Sequence, residues 1–517
     1  MSGMTNQWWR DAVIYQVYPR SFADGDGDGV GDIAGVRARL GHLRDLGVDA
    51  IWMSPWYPSP MADAGYDVSD FRDIDPVFGT LSEAEALIAE AHEAGIRIII
   101  DIVPNHISSE HPWFKAALAS ETAPEREYFW FRKSQNMPTK WIGEFGGTAW
   151  TRVDEDTWYL HLFTPEQPDL NWDHPVVREE FESILRFWFD RGADGIRIDS
   201  AALLFKDPAL PEVTDGEPHP FHDLDAVHDV YRSWRRIADE YADRALIGEV
   251  WMPDVERFTN YLRPDELHAA FNFDFLGCAW DPYLMRSCID RTLDAHARIG
   301  APPTWVLSNH DVTRHVTRYG RTDTTFSFEN NLDGTPVDLE LGTRRARAAA
   351  LLTLSLPGSA YVYQGEELGL WENESIPEDQ IQDPMYARRG HTRDGCRVPL
   401  PWSGDEPPFD FTTGAPWLPQ PAEWKDRTVE AQTGDPSSML ELYRSAIRLR
   451  AFKDQRFAWL DRGEGVLAWT RGADFACVLN LSGAPVPLPE HESVLLASGP
   501  FDGDLLPQDT AAWLRLK

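Results

Sequence analysis

The chain predicts an α/β fold: a (β/α)8 barrel with a small domain inserted after the third strand and an all-β domain at the C-terminus. Three observations carry that prediction. Eight short β-branched runs, most of them ending in polar or acidic residues, recur between positions 12 and 367. Helical patterns lie between them, and strand-then-helix repetition builds a parallel sheet. Near the end the pattern changes to apolar and polar alternation with turn residues between, which is the period of strands. The 517 residues are enough for two or three domains or for one large barrel carrying insertions.

The strand runs are AVIYQVYP (12–19), AIWMSP (50–55), RIIIDIVP (97–104), GIRID (195–199), ALIGEV (245–250), AAFNFDF (269–275), TWVLSNHD (304–311) and AYVYQGEE (360–367). Helices are predicted over 32–47, 82–95, 177–192 and 344–356. For the second of these, Ser82 and Glu85 stand at the spacing of a capping box. Eight such units make a TIM barrel, whose active site lies at the C-terminal ends of the strands. About 70 residues separate the third strand from the next helix, too many for a simple strand-to-helix loop. Residues 104–171 therefore read as an inserted domain, and 1–103 with 172–452 as the barrel. The last barrel helix is SSMLELYRSAIRLRAF (437–452), and 453–517 read as a β-sandwich.

The formal net charge of −36 excludes nucleic acid and anionic membrane as partners, because both need a basic footprint. A neutral small molecule suits the chain better. The start, MSGMTNQWWRDAVIYQ, lacks a basic segment followed by an apolar one, and no apolar stretch reaches membrane-spanning length, so a cytoplasmic protein is expected. Cys278, Cys288, Cys396 and Cys477 have no CxxC spacing, so neither a zinc site nor a disulfide framework is indicated.

Residues 24–32 read DGDGDGVGD. Asp24, Asp26, Asp28 and Asp32 occupy the first, third, fifth and ninth positions of an EF-hand loop, with Gly29 at the sharp turn. The twelfth position, which needs a bidentate Glu, is Gly35. On its own, then, the loop is either an incomplete calcium site or a solvated Asp/Gly turn.

Carboxylates cluster at the strand ends: Asp101 with Asn105 and His106 after the third, Asp199 after the fourth, Glu249 after the fifth and Asp311 after the seventh. Arg197 shares a strand face with Asp199 and could hold it ionised. A retaining glycosidase needs two such carboxyl groups about 5 to 5.5 Å apart. In order, DIVPNH (101–106), QPDLNW (167–172), GIRIDSAAL (195–203), GEVW (248–251) and LSNHD (307–311) resemble the recurring segments of the α-amylase superfamily, glycoside hydrolase family 13. The resemblance spans nearly the whole chain and is closest to the α-glucosidase and oligo-1,6-glucosidase branch, with YPRSF, GYDVSDF and RVPLPW also present.

That resemblance implies a retaining, exo-acting α-glucosidase of short oligosaccharides. Asp199 corresponds to the nucleophile, Glu249 to the general acid/base and Asp311 to the carboxylate that stabilises the transition state. Asp63 and Arg397 correspond to the pair gripping the non-reducing glucosyl unit, Tyr66 to its stacking platform, and His106, Arg197 and His310 to its other polar contacts. It also implies structural calcium in the acidic loop, held by Asp24, Asp26, Asp28, Asp32 and the carbonyl of Val30. α-1,6-preferring members carry Val after the nucleophile, whereas this chain has Ser200, Ala201 and Ala202, so α-1,4 bonds are expected. A transglucosylase or sucrose isomerase on the same scaffold is the alternative. A transporter heavy chain would carry a membrane helix, and a calcium-binding regulator a second EF-hand loop.

Overall fold

The computed structural model describes residues 7–214, 219–328, 332–450, 452 and 456–517. The strands β1 (Val13–Val17), β2 (Ala50–Met53) and β3 (Arg97–Ile102) lead into three short strands of the insert, β4 (Phe131–Lys133), β5 (Trp150–Arg152) and β6 (Thr157–Leu160). There follow β7 (Gly195–Ile198), β8 (Ala245–Gly248), β9 (Ala269–Ala270), β10 (Thr304–Val306) and β11 (Ser359–Tyr363). Outside the insert these strands form one parallel sheet in the order β10-β11-β1-β2-β3-β7-β8-β9. The sheet's two ends meet where the Thr304 hydroxyl donates to the Ala270 carbonyl, which curls it into a barrel. Every residue of β1, β2, β7, β8 and β11 is buried, as expected of parallel strands covered on both faces.

Local chemistry moves several predicted boundaries. The run AAFNFDF gives only two strand residues, because the Asn272 side chain accepts from Phe275 N–H and starts a helical turn, Phe273–Leu276. The helix predicted over 32–47 is two helices, Ile33–Ala38 and Leu40–Leu46, broken at Arg39. The capping box of the next helix, Leu81–Glu93, belongs to Thr80 and Glu83 instead of Ser82 and Glu85. Thr80 takes the extended backbone that an N-cap needs, and the two side chains satisfy each other's amides. Helix Pro175–Asp190 starts at the His174 cap and buries Val177, Phe181, Ile184, Leu185 and Trp188, a stripe at helical spacing.

The insert contains a helix where none was expected, Pro112–Ala119, capped by the His111 side chain. It also holds an antiparallel sheet of order β4-β6-β5. A separate apolar cluster of Trp130, Trp141, Trp150, Leu160 and Leu162 takes in Leu203 and Phe221 from the barrel loop that follows β7. The insert is thereby anchored to the segment next to Asp199.

At the C-terminus, β12 (Phe457–Trp459), β13 (Val466–Arg471), β14 (Phe475–Asn480), β15 (Val486–Pro487), β16 (Ser493–Ala497), β17 (Leu505–Leu506) and β18 (Thr510–Arg515) form two sheets, β12-β13-β14-β18-β16 and β15-β17. One face of the larger sheet, including Leu467, Trp469, Cys477 and Trp513, joins the barrel's apolar core. The other face packs with Leu488 and Leu506. The expected boundary at 453 lies outside the described residues, as do the first six residues read for a leader. Among the described residues no helix is long and apolar enough to cross a membrane.

Candidate active site

The carboxylates predicted at the strand ends meet on one guanidinium. Arg197, near the end of β7, is 1 % exposed. Its Nη1 donates to both Asp101 oxygens, at 2.9 and 3.0 Å, and to Asp199 Oδ1 at 2.8 Å, while Nη2 donates to Glu249 Oε2 at 2.6 Å. The side chains come from the ends of the neighbouring strands β3, β7 and β8. Arg197 and Asp199 share a face because they are two residues apart. Glu249 also accepts from the backbone N–H of Ser200 and from Trp251 Nε1, both at 3.0 Å. Burial pushes the Asp199 carboxyl up, Arg197 pulls it back, and Glu249 and Asp101 add to the rise.

Asp311, beyond the end of β10, is different. Burial would raise it, but His310, Arg393, Arg397 and Arg197 outweigh burial and hold it well below the usual carboxylate range. Arg397 Nη2 and Arg393 Nη1 donate to its Oδ1 at 2.7 and 2.9 Å. Burial pushes His310 down to about 3, against the pull of Asp311. Gln16 Nε2 lies 2.8 Å from His310 Nδ1, and the ring Nε2 lies 3.2 Å from Asp311 Oδ2. Tyr66 stacks on His310, with centroids 5.2 Å apart and planes 8° off parallel, and its hydroxyl donates to Asp101 Oδ2 at 3.2 Å.

Asp63 and Arg397, expected together on the glucosyl unit, are not bonded to each other but both reach the Asp311 cluster. The partner of Asp63 is Arg393, whose Nη2 donates to Asp63 Oδ1 at 2.8 Å. Arg397 instead holds Asp311 and the His310 carbonyl, the latter at 2.7 Å from Nε. The two arginines flank the short turn Asp394–Cys396, and both side chains reach Asp311 Oδ1. Arg393 is also clamped by Asp383, Nη2 to Oδ1 at 2.7 Å and Nε to Oδ2 at 2.9 Å. Burial pushes Asp63 up to about 6 against the pull of Arg393. His106 completes the wall: its Nε2 lies 3.1 Å from the Tyr66 carbonyl, and Gln167 Nε2, 3.0 Å from it, donates to Asp63 Oδ2 at 3.1 Å. All nine predicted catalytic and sugar-contacting residues thus lie in one connected network.

Residues 16–458 match the alpha amylase catalytic domain. The chain belongs to the α-amylase family. Membership places it among the glycoside hydrolase enzymes. It is 39 % identical to a probable alpha-glucosidase of Rhizobium meliloti, over 90 % of this chain and 86 % of that protein. It is 34 % identical to the oligo-1,6-glucosidase of Parageobacillus thermoglucosidasius, over 87 % and 85 % respectively. Among solved structures, an alpha-glucosyl transfer enzyme superposes with a TM-score of 0.86 at 32 % identity, covering 99 % of both chains.

Sequence reasoning left Arg393, Asp383, Gln167 and Gln16 out of this family site. RDGCR offers two arginines with nothing to rank them, and Asp383 before Pro384 reads as a helix cap. It is one, accepting from Met385 N–H at 3.1 Å, while its carboxylate also clamps Arg393.

The acidic loop lies directly after β1 and the short helix Pro19–Phe22. Oxygens of Asp24, Asp26 and Asp28 come within 4.8 Å of one another, a spread that a cation with ligands at about 2.3–2.6 Å can bridge. Asp32 stands apart from that trio. Its carboxylate accepts from the N–H groups of Gly25, Asp26 and Gly35, the last as the cap of helix Ile33–Ala38. Of Val30, the structure shows its N–H donating to Asp28 Oδ1 at 2.8 Å. Gly29 has φ +99°, and a Cβ there would lie 2.0 Å from the Ala415 carbonyl oxygen, so only glycine fits this turn.

Proposed function

We propose that the chain is a retaining, exo-acting α-glucosidase that hydrolyses terminal α-1,4 bonds of short oligosaccharides such as maltose. The carrying observation is the single guanidinium of Arg197 that holds Asp199 and Glu249 together, with the Asp311 carboxylate clasped by two further arginines. Asp199 attacks the anomeric carbon while Glu249 protonates the leaving oxygen. Glu249 then deprotonates the water that releases glucose from the covalent glucosyl-enzyme. Asp311, held ionised, stabilises the positive charge that develops in the transition state. The Asp63–Arg393 pair closes the pocket behind one glucosyl unit, which makes the cut exo and action on starch weak. Incubation with maltose, isomaltose, trehalose, sucrose and starch, followed by NMR, tests this: maltose should be cut fastest and release α-glucose first. Initial β-glucose, or no cleavage of any of these sugars, would overturn it.

A second reading, glucosyl transfer to a sugar, is favoured by the likeness to the alpha-glucosyl transfer enzyme. The same spectra separate the two, because transfer yields new glucosidic signals in place of free glucose.

The linkage preference rests on Ser200. Its N–H donates to Glu249 and its backbone has φ +46°, beside the bond to be cut. A stiff β-branched side chain would narrow that space. Ser200→Val is expected to shift the isomaltose to maltose activity ratio about tenfold toward isomaltose. The variant should also melt lower, since positive φ strains a β-branched residue. An unmoved ratio in the folded variant sinks the linkage argument alone.

In this reading Asp24, Asp26 and Asp28 hold one calcium ion that staples the loop after the first strand to residues 411–417, to which Asp24 and Gly29 are hydrogen-bonded. Elemental analysis should find about one calcium per chain, because a ligand of the native state stabilises by mass action. Chelator or Asp28→Ala should lower the Tm with little change in turnover per folded molecule. An unchanged Tm in chelator refutes the calcium assignment.

A further inference from the structure

We propose that the buried lysine Lys206 is a positioning residue: through Asn105 it fixes which ring nitrogen of His106 carries the proton. The functional meaning of that proton rests on the placement of His106 in the sugar pocket argued above.

The Lys206 side chain is 0 % exposed. Its ammonium has three partners on three segments: Asp169 Oδ2 at 2.7 Å from the end of the insert, Asn105 Oδ1 at 2.7 Å from the loop after β3, and the Leu203 carbonyl at 2.8 Å from the loop after β7. An ammonium only donates, so Asn105 must turn its oxygen toward it. The Asn105 amide nitrogen then faces His106 Nδ1, at 3.2 Å. That nitrogen also only donates, so Nδ1 is the acceptor and the proton is on Nε2. From there it is directed at the Tyr66 carbonyl, 3.1 Å away.

The opposite tautomer would match one neighbour, Gln167, whose Nε2 lies 3.0 Å from His106 Nε2. It would set two donors face to face at Asn105 and turn a lone pair toward the Tyr66 carbonyl. Gln167 does not depend on that contact, since its Oε1 accepts from Thr164 N–H and one of its two amide hydrogens goes to Asp63, both at 3.1 Å. Two matched contacts outweigh one. Burial pushes His106 down to about 4, so the ring is neutral and the tautomer is what remains to be set. The charge of Lys206 is tolerable in this dry position because Asp169 balances it and itself accepts from Leu162 N–H at 2.9 Å. The consequence is that His106 presents a donor, not an acceptor, on the side of Tyr66 and Asp63, the side on which the proposed function puts the sugar.

The test is 15N NMR of histidine-labelled full-length enzyme, with His106 assigned by its loss in His106→Gln. Wild type should show a pyridine-like Nδ1 and a pyrrole-like Nε2. Asn105→Asp keeps an acceptor for Lys206 but offers only acceptors to His106, so the two signals should exchange. The Lys206→Met/Asp169→Asn double variant removes both buried charges together and should show a mixture of tautomers. A wild-type proton on Nδ1, or a folded double variant that keeps the single wild-type tautomer, overturns the proposal. Kinetics on the same samples distinguish the functional premise: exchange in Asn105→Asp should raise KM for maltose about tenfold with a smaller change in kcat. Exchanged signals with unchanged KM would leave the tautomer relay standing and remove His106 from the sugar pocket.

Discussion

Asp199→Asn leaves less than about 1 % of wild-type turnover in a protein that still folds, because an amide cannot form the glucosyl ester on which a retaining mechanism depends. The fold should survive. Asn keeps the size of Asp and can still accept through its oxygen from Arg197 Nη1, which sits 2.8 Å from Oδ1. Circular dichroism and a melting curve check the fold, and maltose hydrolysis checks the chemistry. Glu249→Gln separates the two carboxyl roles. It should retain far more activity on a nitrophenyl α-glucoside than on maltose, since nitrophenolate leaves without a proton and a sugar alkoxide does not. Asp199→Asn with more than a few per cent of wild-type activity would place the nucleophile elsewhere. Glu249→Gln with equal losses on both substrates would remove Glu249 as the acid.

The parts legible in the sequence were those fixed by short-range chemistry. Barrel strands buried on both faces must be runs of apolar, largely β-branched residues, and six of the eight runs were strands of the predicted span to within a few residues, while TWVLSNHD gave only Thr304–Val306. The sixth failed because Asn272 offers its own oxygen to the backbone and wins over a two-residue ladder. The carboxylates were legible because they stand where strands end and the barrel aims them at one point. What stayed hidden depends on contacts far apart in the chain. Arg393 and Arg397 are equivalent on paper, and only the packing against Asp63, some 330 positions away, tells them apart. That Asp32 also caps the following helix, its oxygens accepting from the N–H groups of Gly25, Asp26 and Gly35, could not be read from its place in the loop. The Lys206 contacts with Asn105 and Asp169 likewise join segments that no local pattern connects.

Arg197→Met has the largest expected effect on stability. Removing one partner of a buried charge cluster leaves the others unpaired in low dielectric, at a cost of roughly 3–5 kcal/mol. Here the group removed serves three carboxylates at once, those of Asp101, Asp199 and Glu249. Asp101 already sits at about 7, raised by burial against the pull of Arg197. Without the guanidinium that pull is gone and the rise can only grow. A carboxyl group whose folded pKa lies above its unfolded value of about 3.9 stabilises the fold fully only at acid pH. That contribution is lost as pH rises toward the folded pKa. The sign of the pH dependence follows. The Tm deficit of Arg197→Met should be smaller and level from pH 5 to about 7 and widen above it, where wild-type Asp101 gives up its proton beside the guanidinium and the orphaned carboxyl group does not. Arg197→Lys should recover part of the stability and little of the activity. A single ammonium carries the charge but lacks the planar fork that reaches the side chains of three strands in fixed directions. Melting curves from pH 5 to 8 for both variants check this. A deficit that stays constant, or that widens toward acid, would show that Arg197 acts by packing alone and that the three carboxylates do not depend on its charge.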